Sequence, residues 1–279
     1  MRFDLYLCPD HDHDPSKRIN QITQSPLIYN FEEPSRLNRY LAQAGVCSRR
    51  QADDWIARGL LTVNEQIVTE AGFKVQSGDR ICLNQTALND LANALSVIYN
   101  KPLGIVSGQP EPGEIPAIKH LTRDRFWGAK TDPIPTIGGM SLPPQGRLDK
   151  DSHGLLILSN DGVLSKALIG PQSQLEKEYI VRIRGEIFEE KLKWLRHGLV
   201  LDDKPLKPAK VIQIAEQTLK FILTEGRNRQ IRRMCDCCEL RVIDLKRIRI
   251  GPIDMGDLPD DRWRILSSFE RDQLIKGSQ

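Results

Sequence analysis

Gly146-Arg147-Leu148-Asp149-Lys150-Asp151-Ser152-His153-Gly154 runs directly into Leu155-Leu156-Ile157-Leu158. Glycines bracket a set of ionisable side chains, and an apolar run of strand length follows at once. A charged turn feeding a buried strand places carboxylates at the rim of a rigid sheet, where a site can be held in position. Two aspartates beside Arg147 and Lys150 fit a nucleophile or an acid/base group kept ionised by neighbouring positive charge. The same residues also fit a solvated turn whose charges pair with one another. The rest of the chain decides between the two.

Downstream, Asn160-Asp161-Gly162 makes a turn and residues 163–169 read as a helix. Alternation over 178–184 puts Tyr179, Val181 and Ile183 on one face of a strand. Residues 189–197 read as a helix, and 211–214 with 218–224 as an antiparallel pair. Glu225-Gly226-Arg227-Asn228-Arg229 opens a further helix whose Ile231, Met234, Cys235 and Cys238 stand at i, i+3, i+4 and i+7. That stripe assigns two thiols of the Cys235-Asp236-Cys237-Cys238 run to the core and not to a metal. A long strand over 242–250 and a C-terminal helix over 267–275 follow. Upstream, Val97-Ile98-Tyr99 is a strand leading into Asn100-Lys101-Pro102-Leu103-Gly104, and the proline- and glycine-rich 108–145 reads as an irregular insertion anchored by Phe126-Trp127. Hairpin-joined strands with helices between them indicate an α+β domain over 94–276, a mixed and mainly antiparallel sheet with a central cleft.

Residues 35–83 form a separate small module. Ser35 and Ser48 can cap two short helices, and Gly45 and Gly59 end them. Leu60–Val63 and Gln66–Val68 flank Asn64-Glu65 as a hairpin. The outward residues of the helix pair include Arg36, Arg39, Arg49 and Arg50, a guanidinium face suited to an RNA backbone. Residues 84–93 are polar and read as a linker, and residues 1–34 as a flexible N-terminal extension.

The composition is that of a soluble protein, and no apolar run approaches the ~18–20 residues needed to span a bilayer. Cys8-Pro9-Asp10-His11-Asp12-His13-Asp14 interrupts any signal-peptide core, so a cytoplasmic location and no membrane partner are expected. Cys8, His11 and His13 read as part of an acidic tail, the six scattered cysteines as reduced thiols, and no metal is expected. Charge is uneven. Residues 1–34 hold three basic against six acidic side chains, while 226–250 hold eight basic against three acidic. Clustered arginine marks a polyanion partner, most often nucleic acid. There is no glycine-rich phosphate loop and no Ser-His-Asp signature. A glycoside-hydrolase pair of Asp149 and Asp151 fails on spacing and lacks an aromatic sugar platform.

Two sets of runs carry a family resemblance. Arg36-Leu37-Asn38-Arg39-Tyr40-Leu41, Gly45-Val46-Cys47-Ser48-Arg49-Arg50-Gln51-Ala52 and Val63-Asn64 resemble the alpha-L RNA-binding domain. Asn100-Lys101-Pro102-Leu103-Gly104, Gly146-Arg147-Leu148-Asp149, Lys177-Glu178-Tyr179 and Gly226-Arg227-Asn228-Arg229-Gln230-Ile231-Arg232-Arg233-Met234, in that order, resemble the RsuA/RluB/RluF-type pseudouridine synthases, with the RluF branch nearest. The resemblance covers about residues 35–275 and implies isomerisation of a uridine in RNA, with 23S ribosomal RNA favoured and a tRNA anticodon second. The uracil is detached, rotated and rejoined through C5.

It also implies residue roles. Asp149 resembles the catalytic aspartate, acting by attack on the ribose or by a glycal route. Arg232 resembles its basic partner, Tyr179 the aromatic packed on the uracil, and Ile231 the aliphatic contact beside it. Arg147 resembles the side chain that fills the stack when the nucleotide flips out. Asp149 and Asp151 would point to opposite faces of an extended segment, so one of them enters the cleft and the match selects Asp149. No cofactor is implied, and a monomer is expected. The competing reading is a non-catalytic RNA-binding or ribosome-assembly factor on the same scaffold. Taken singly, Tyr179 and Ile231 read as core and Arg232 as surface.

Overall fold

The computed structural model describes residues 26–128 and 134–278. The chain divides after Ala94 into two compact units.

In the first unit, β1 (Leu27–Ile28) and β2 (Ser35–Arg36) precede α1 (Leu37–Gln43) and α2 (Arg49–Ala57). They are followed by β3 (Leu61–Val63), β4 (Gln66–Ile67), β5 (Lys74–Val75), β6 (Arg80–Leu83) and α3 (Gln85–Ala92). The Ser48 side chain accepts the Gln51 N–H at 3.2 Å and caps α2, as its position predicts. Ser35 caps nothing. It pairs with Val75 in a short ladder and leaves Arg36 at the start of α1. Asn64 and Glu65 both have positive φ, 49° and 68°, the primed turn whose twist suits a tight hairpin. Leu37, Leu41, Ala52, Trp55 and Leu61 fill the core without exposed surface.

Two boundaries differ from expectation. Residues 1–25 of the expected extension lie outside the described residues, but Leu27–Ile28 pairs with Ile81 and Arg80, and Tyr29 is buried against Tyr40. The expected linker 84–93 is a helix. Asn84 accepts the Ala87 N–H at 3.0 Å as an N-cap, Ala87 and Leu88 are buried, and Asp90 accepts the Trp55 indole N–H at 2.9 Å. The polar residues that suggested a tether are a cap and the solvent side of a short amphipathic helix.

The second unit opens with β7 (Ser96–Lys101) and β8 (His153–Ser159), followed by α4 (Gly162–Ile169), β9 (Lys177–Arg184) and α5 (Glu189–Arg196). Then come β10 (Val200–Leu201), β11 (Lys204–Pro205), β12 (Lys210–Ala215), β13 (Thr218–Leu223) and α6 (Gln230–Cys237). β14 (Arg241–Ile250), β15 (Ile253–Asp254), β16 (Trp263–Ile265) and α7 (Ser268–Gly277) complete it. The main sheet has the order β12-β13-β9-β14-β8-β7-β16, with β15 beside β14. Only the β14–β8 pairing is parallel among the described strands. The sheet is covered on both faces, which is why β8 reads as a continuous apolar run and not as an alternating one. Leu156, Leu158 and Tyr179 join α5 and α6 on one face, while Leu155, Ile157 and Ile250 join α4 and α7 on the other.

The described part of the insertion is tied down. Asp261 accepts from the Tyr99 hydroxyl at 2.6 Å and from Arg125 Nε at 2.8 Å, and meets His120 Nδ1 at 2.8 Å. The Trp127 N–H reaches Trp263 O at 2.7 Å, and Phe126 packs edge-on to the Trp263 ring. Among the described residues no helix is long and apolar enough to cross a membrane.

Candidate active site

The 146–152 segment is a turn held by the chain that follows β7. The Leu148 N–H donates to Ser107 Oγ at 2.8 Å, and the Ser107 hydroxyl donates to Leu148 O at 2.6 Å. The Gly104 N–H donates to Lys150 O at 2.8 Å, and the Ser152 N–H closes the turn on Asp149 O at 3.0 Å. Lys101 has no exposed surface and gives its ammonium to Pro102 O at 2.8 Å and Ile105 O at 2.7 Å. Burial pulls its pKa down to about 8, opposed by the carboxylates of Asp149 and Asp151. A buried cation thus braces the loop that braces the aspartates.

From the other side comes the start of α6. Arg227 spreads over Leu201 O, Lys204 O and Pro205 O, and Arg233 binds the Asp202 carboxylate through two bonds of 2.9 and 2.7 Å. These two arginines fix the helix. Arg229, at φ 48° and ψ 33°, sits in the left-handed region at the N-cap, and this aims its side chain back at the turn. Arg229 donates to both Asp151 carboxylate oxygens, at 3.0 and 2.9 Å, and its Nη1 stands 3.5 Å from Asp149 Oδ2. Hydrogen bonds from Arg229 hold the Asp151 carboxyl below the usual carboxylate range, against the opposing effect of burial.

Two expectations need correction here. Arg232 does not meet Asp149. Its Nη2 donates to Asp151 O at 2.6 Å and to Ser152 Oγ at 3.2 Å, and its Nε stands 3.3 Å from Asp151 Oδ2. The basic partner nearest Asp149 is Arg229, three residues earlier. The two aspartates also do not diverge. Residues 149–152 form a turn and not an extended strand, so both carboxylates reach one guanidinium. An open cavity of about 580 Å³ lies against this cluster, lined by Leu103, Gly104, Lys150, Asp151, Arg229 and Arg232 among others.

The remaining expected residues are placed as follows. Arg147 is exposed on the turn, while Tyr179 and Ile231 are buried at 8% and 5% exposure in the cluster on the cleft face of the sheet. Lys101, Gly154, Arg247, Tyr179 and Phe221 are register partners across β7, β8, β14, β9 and β13, so they share one face of the sheet in a single row. Lys101 lies in the Asn100–Gly104 run and Arg247 within the 242–250 strand, and neither has a role in the reading of the sequence. An arginine falling on the apolar period of β14, in step with Leu245, was the signal available. Among the described residues no group of His, Cys, Asp or Glu is arranged to hold a metal ion.

In the first unit, Arg36, Arg39, Arg49 and Arg50 are all exposed, and none pairs with a carboxylate among the described residues. Arg58, by contrast, is engaged with Asp54 and Asp90. Four unpaired guanidinium groups around the α1 and α2 starts can take phosphates without first breaking an ion pair.

Comparison with known proteins agrees with this architecture. Residues 35–81 match the S4 domain, and residues 96–236 match the RNA pseudouridylate synthase family. An uncharacterised RNA pseudouridine synthase of Aquifex aeolicus is 32% identical over 86% of this chain and 95% of its own length. The dual-specificity RNA pseudouridine synthase RluF of Escherichia coli is 33% identical over 86% of this chain and 78% of its own. The ribosomal large subunit pseudouridine synthase B of Pseudomonas aeruginosa is 33% identical over 86% of this chain and 61% of its own. A crystal structure of a pseudouridylate synthase superposes with a TM-score of 0.60 at 25% identity, over 86% of this chain and 99% of that one. With an S4 domain ahead of the matched synthase domain, and a third of its residues shared with such enzymes over most of its length, the chain belongs to the RNA pseudouridine synthases.

Proposed function

We propose that this synthase converts a uridine of 23S ribosomal RNA to pseudouridine, ahead of any transfer RNA, acting in the cytoplasm as a monomer. The observation that carries the substrate assignment is the similarity, over 86% of this chain, to a relative named for the large ribosomal subunit. Residues 26–94 serve as the RNA anchor through Arg36, Arg39, Arg49 and Arg50, and residues 95–278 as the catalytic domain. Asp149 begins the reaction at the ribose, Tyr179 packs on the uracil with Ile231 beside it, and Arg147 holds the place of the flipped nucleotide.

The electrostatics fit this assignment. Arg229 Nη1 stands 3.5 Å from Asp149 Oδ2 and places a positive charge beside that carboxylate. Arg232 fixes the backbone of Asp151 and the Ser152 hydroxyl, which keeps the turn in shape while Asp149 works.

The test is to map pseudouridines across total RNA from cells with and without the gene, and then to complement with Asp149→Asn. The expected result is one site in 23S RNA that disappears with the gene and is not restored by Asp149→Asn. A missing site in transfer RNA or 16S RNA, with 23S RNA unchanged, overturns the substrate assignment. Restoration by Asp149→Asn overturns the role of Asp149.

A further inference from the structure

Arg247 is 1% exposed and lies on the cleft face of β14. Its Nε donates to Leu155 O at 2.7 Å, which turns the guanidinium towards β8 and away from solvent. Its Nη2 has no hydrogen-bond partner among the described residues. A fully buried guanidinium with no carboxylate is costly, and such a group is retained where something else supplies the opposite charge. The nearby carboxylates are already taken, since Asp151 is held by Arg229 and Arg232, and Asp149 by Arg229.

The surroundings of Arg247 add to the excess of positive charge. In the row across the sheet it has Tyr179 on one side and Gly154 on the other, with Lys101 one strand further. Gly154 supplies no side chain, so no further side chain stands between the two cations in this row. A Cβ built there meets Arg247 O at 2.2 Å, which leaves no room for another residue. Lys177 stands two residues before Tyr179 on the same strand face, and burial, reinforced by Arg247, pulls its pKa down to about 8. Arg247 on the neighbouring strand and Lys177 on its own strand thus flank the tyrosine that, on the reading above, packs against the uracil.

We propose that the free guanidinium edge of Arg247 is a catalytic group that binds the detached uracil as an anion. This rests on the assignment of Tyr179 as the uracil platform. When the C1′–N1 bond breaks, its electron pair leaves with the uracil, and the negative charge spreads over N1, O2 and O4. The ring rotates, C5 bonds to C1′, the proton leaves C5, and N1 gains one, so the conversion needs no oxidant or co-reactant. The neutral uracil of the substrate gains little from a buried guanidinium, whereas the anion gains much. The interaction therefore acts mainly at bond cleavage.

The experiment uses full-length enzyme and a transcript carrying the uridine identified by the mapping above, so a wrong RNA assignment does not affect the outcome. Arg247→Gln and Arg247→Lys are compared with wild type in single-turnover kinetics at saturating enzyme, with RNA affinity measured separately. The expected result for Arg247→Gln is a rate reduced by about 10²-fold, the size of removing one preorganised donor from an oxyanion site, with RNA affinity within a few-fold. Arg247→Lys recovers part of the rate. In a transcript with 5-fluorouridine at the target, the electron-withdrawing fluorine stabilises the leaving anion, so cleavage of C1′–N1 loses less on Arg247→Gln than with uridine. Equal losses on both transcripts would mean a packing role and overturn the proposal. So would weakened RNA binding with an unchanged single-turnover rate, which is the signature of phosphate recognition. If Arg247→Gln does not fold, the ratio between the two transcripts is read on Arg247→Lys, with the same two outcomes.

Discussion

Arg229 and Asp151 are joined by two parallel hydrogen bonds of 3.0 and 2.9 Å, and the same guanidinium is 3.5 Å from Asp149. Asp151 is thus the tighter claimant on the cation it shares with Asp149. The left-handed backbone at Arg229 fixes this geometry, because a right-handed N-cap would aim the side chain elsewhere.

Asp151→Asn loosens Arg229 and lets it settle on Asp149. The expected outcome is a rate changed by about tenfold with RNA affinity preserved, measured by single-turnover kinetics. Stability changes by only about 0.5 kcal/mol, because both partners are roughly half exposed. The pH dependence has a definite sign. The folded-state pKa of Asp151 is depressed, so its contribution is present above the unfolded value and is lost as pH falls through the folded one. The stability difference between wild type and Asp151→Asn therefore closes in the acid range below about pH 4.

Lys101 is shifted in the same direction, but by burial that disfavours its charged form. Its pKa is about 8 when folded, so the folded state holds its proton less tightly than the unfolded chain. Wild type gains stability relative to Lys101→Met as pH rises from about 8 to about 10.5, by on the order of 2 kcal/mol. Denaturant titrations of both proteins at three pH values check this, and a flat difference would show that Lys101 is not buried as a cation.

Gly154 has φ near +100°, and an added Cβ meets Arg247 O at 2.2 Å. Both the backbone conformation and the close approach exclude a side chain. Gly154→Ala is expected to cost more than about 3 kcal/mol, seen as a large drop in the denaturation midpoint. A change under about 1 kcal/mol would mean that the β8–β14 pairing adapts.

Replacing Arg36, Arg39, Arg49 and Arg50 in pairs by Ala tests the anchor. Each lost phosphate contact lowers the slope of affinity against salt by about one. The rate at saturating RNA is expected to hold, since none of the four lies in the synthase domain. A fall in that rate with unchanged affinity would place them outside RNA anchoring.

Much of the synthase domain was legible because its elements are long and periodic. The stripe Ile231, Met234, Cys235 and Cys238 is buried as its spacing implies, and Tyr179, Val181 and Ile183 share a buried face. Short elements were less legible. The α3 helix is only two turns long, with a polar cap and asparagines around its apolar residues, so its composition matched a tether. Ser35 resembled a helix cap but is taken up by a ladder with Val75 that nothing local announces.

The sequence by itself determined the order of elements, the presence of an arginine-rich module ahead of a mixed sheet, and the run that carries Asp149. Local periodicity and motif order are properties of neighbouring residues, so they survive in a string of letters. Which arginine meets which aspartate was decided only by the tertiary structure. Arg229, Arg232 and the 149–152 turn are about eighty positions apart in the chain, and their pairing depends on one left-handed residue and one tight turn. The row that sets Arg247 beside Tyr179 likewise exists only once three strands have found their register, because register, unlike periodicity, is a relation between distant segments.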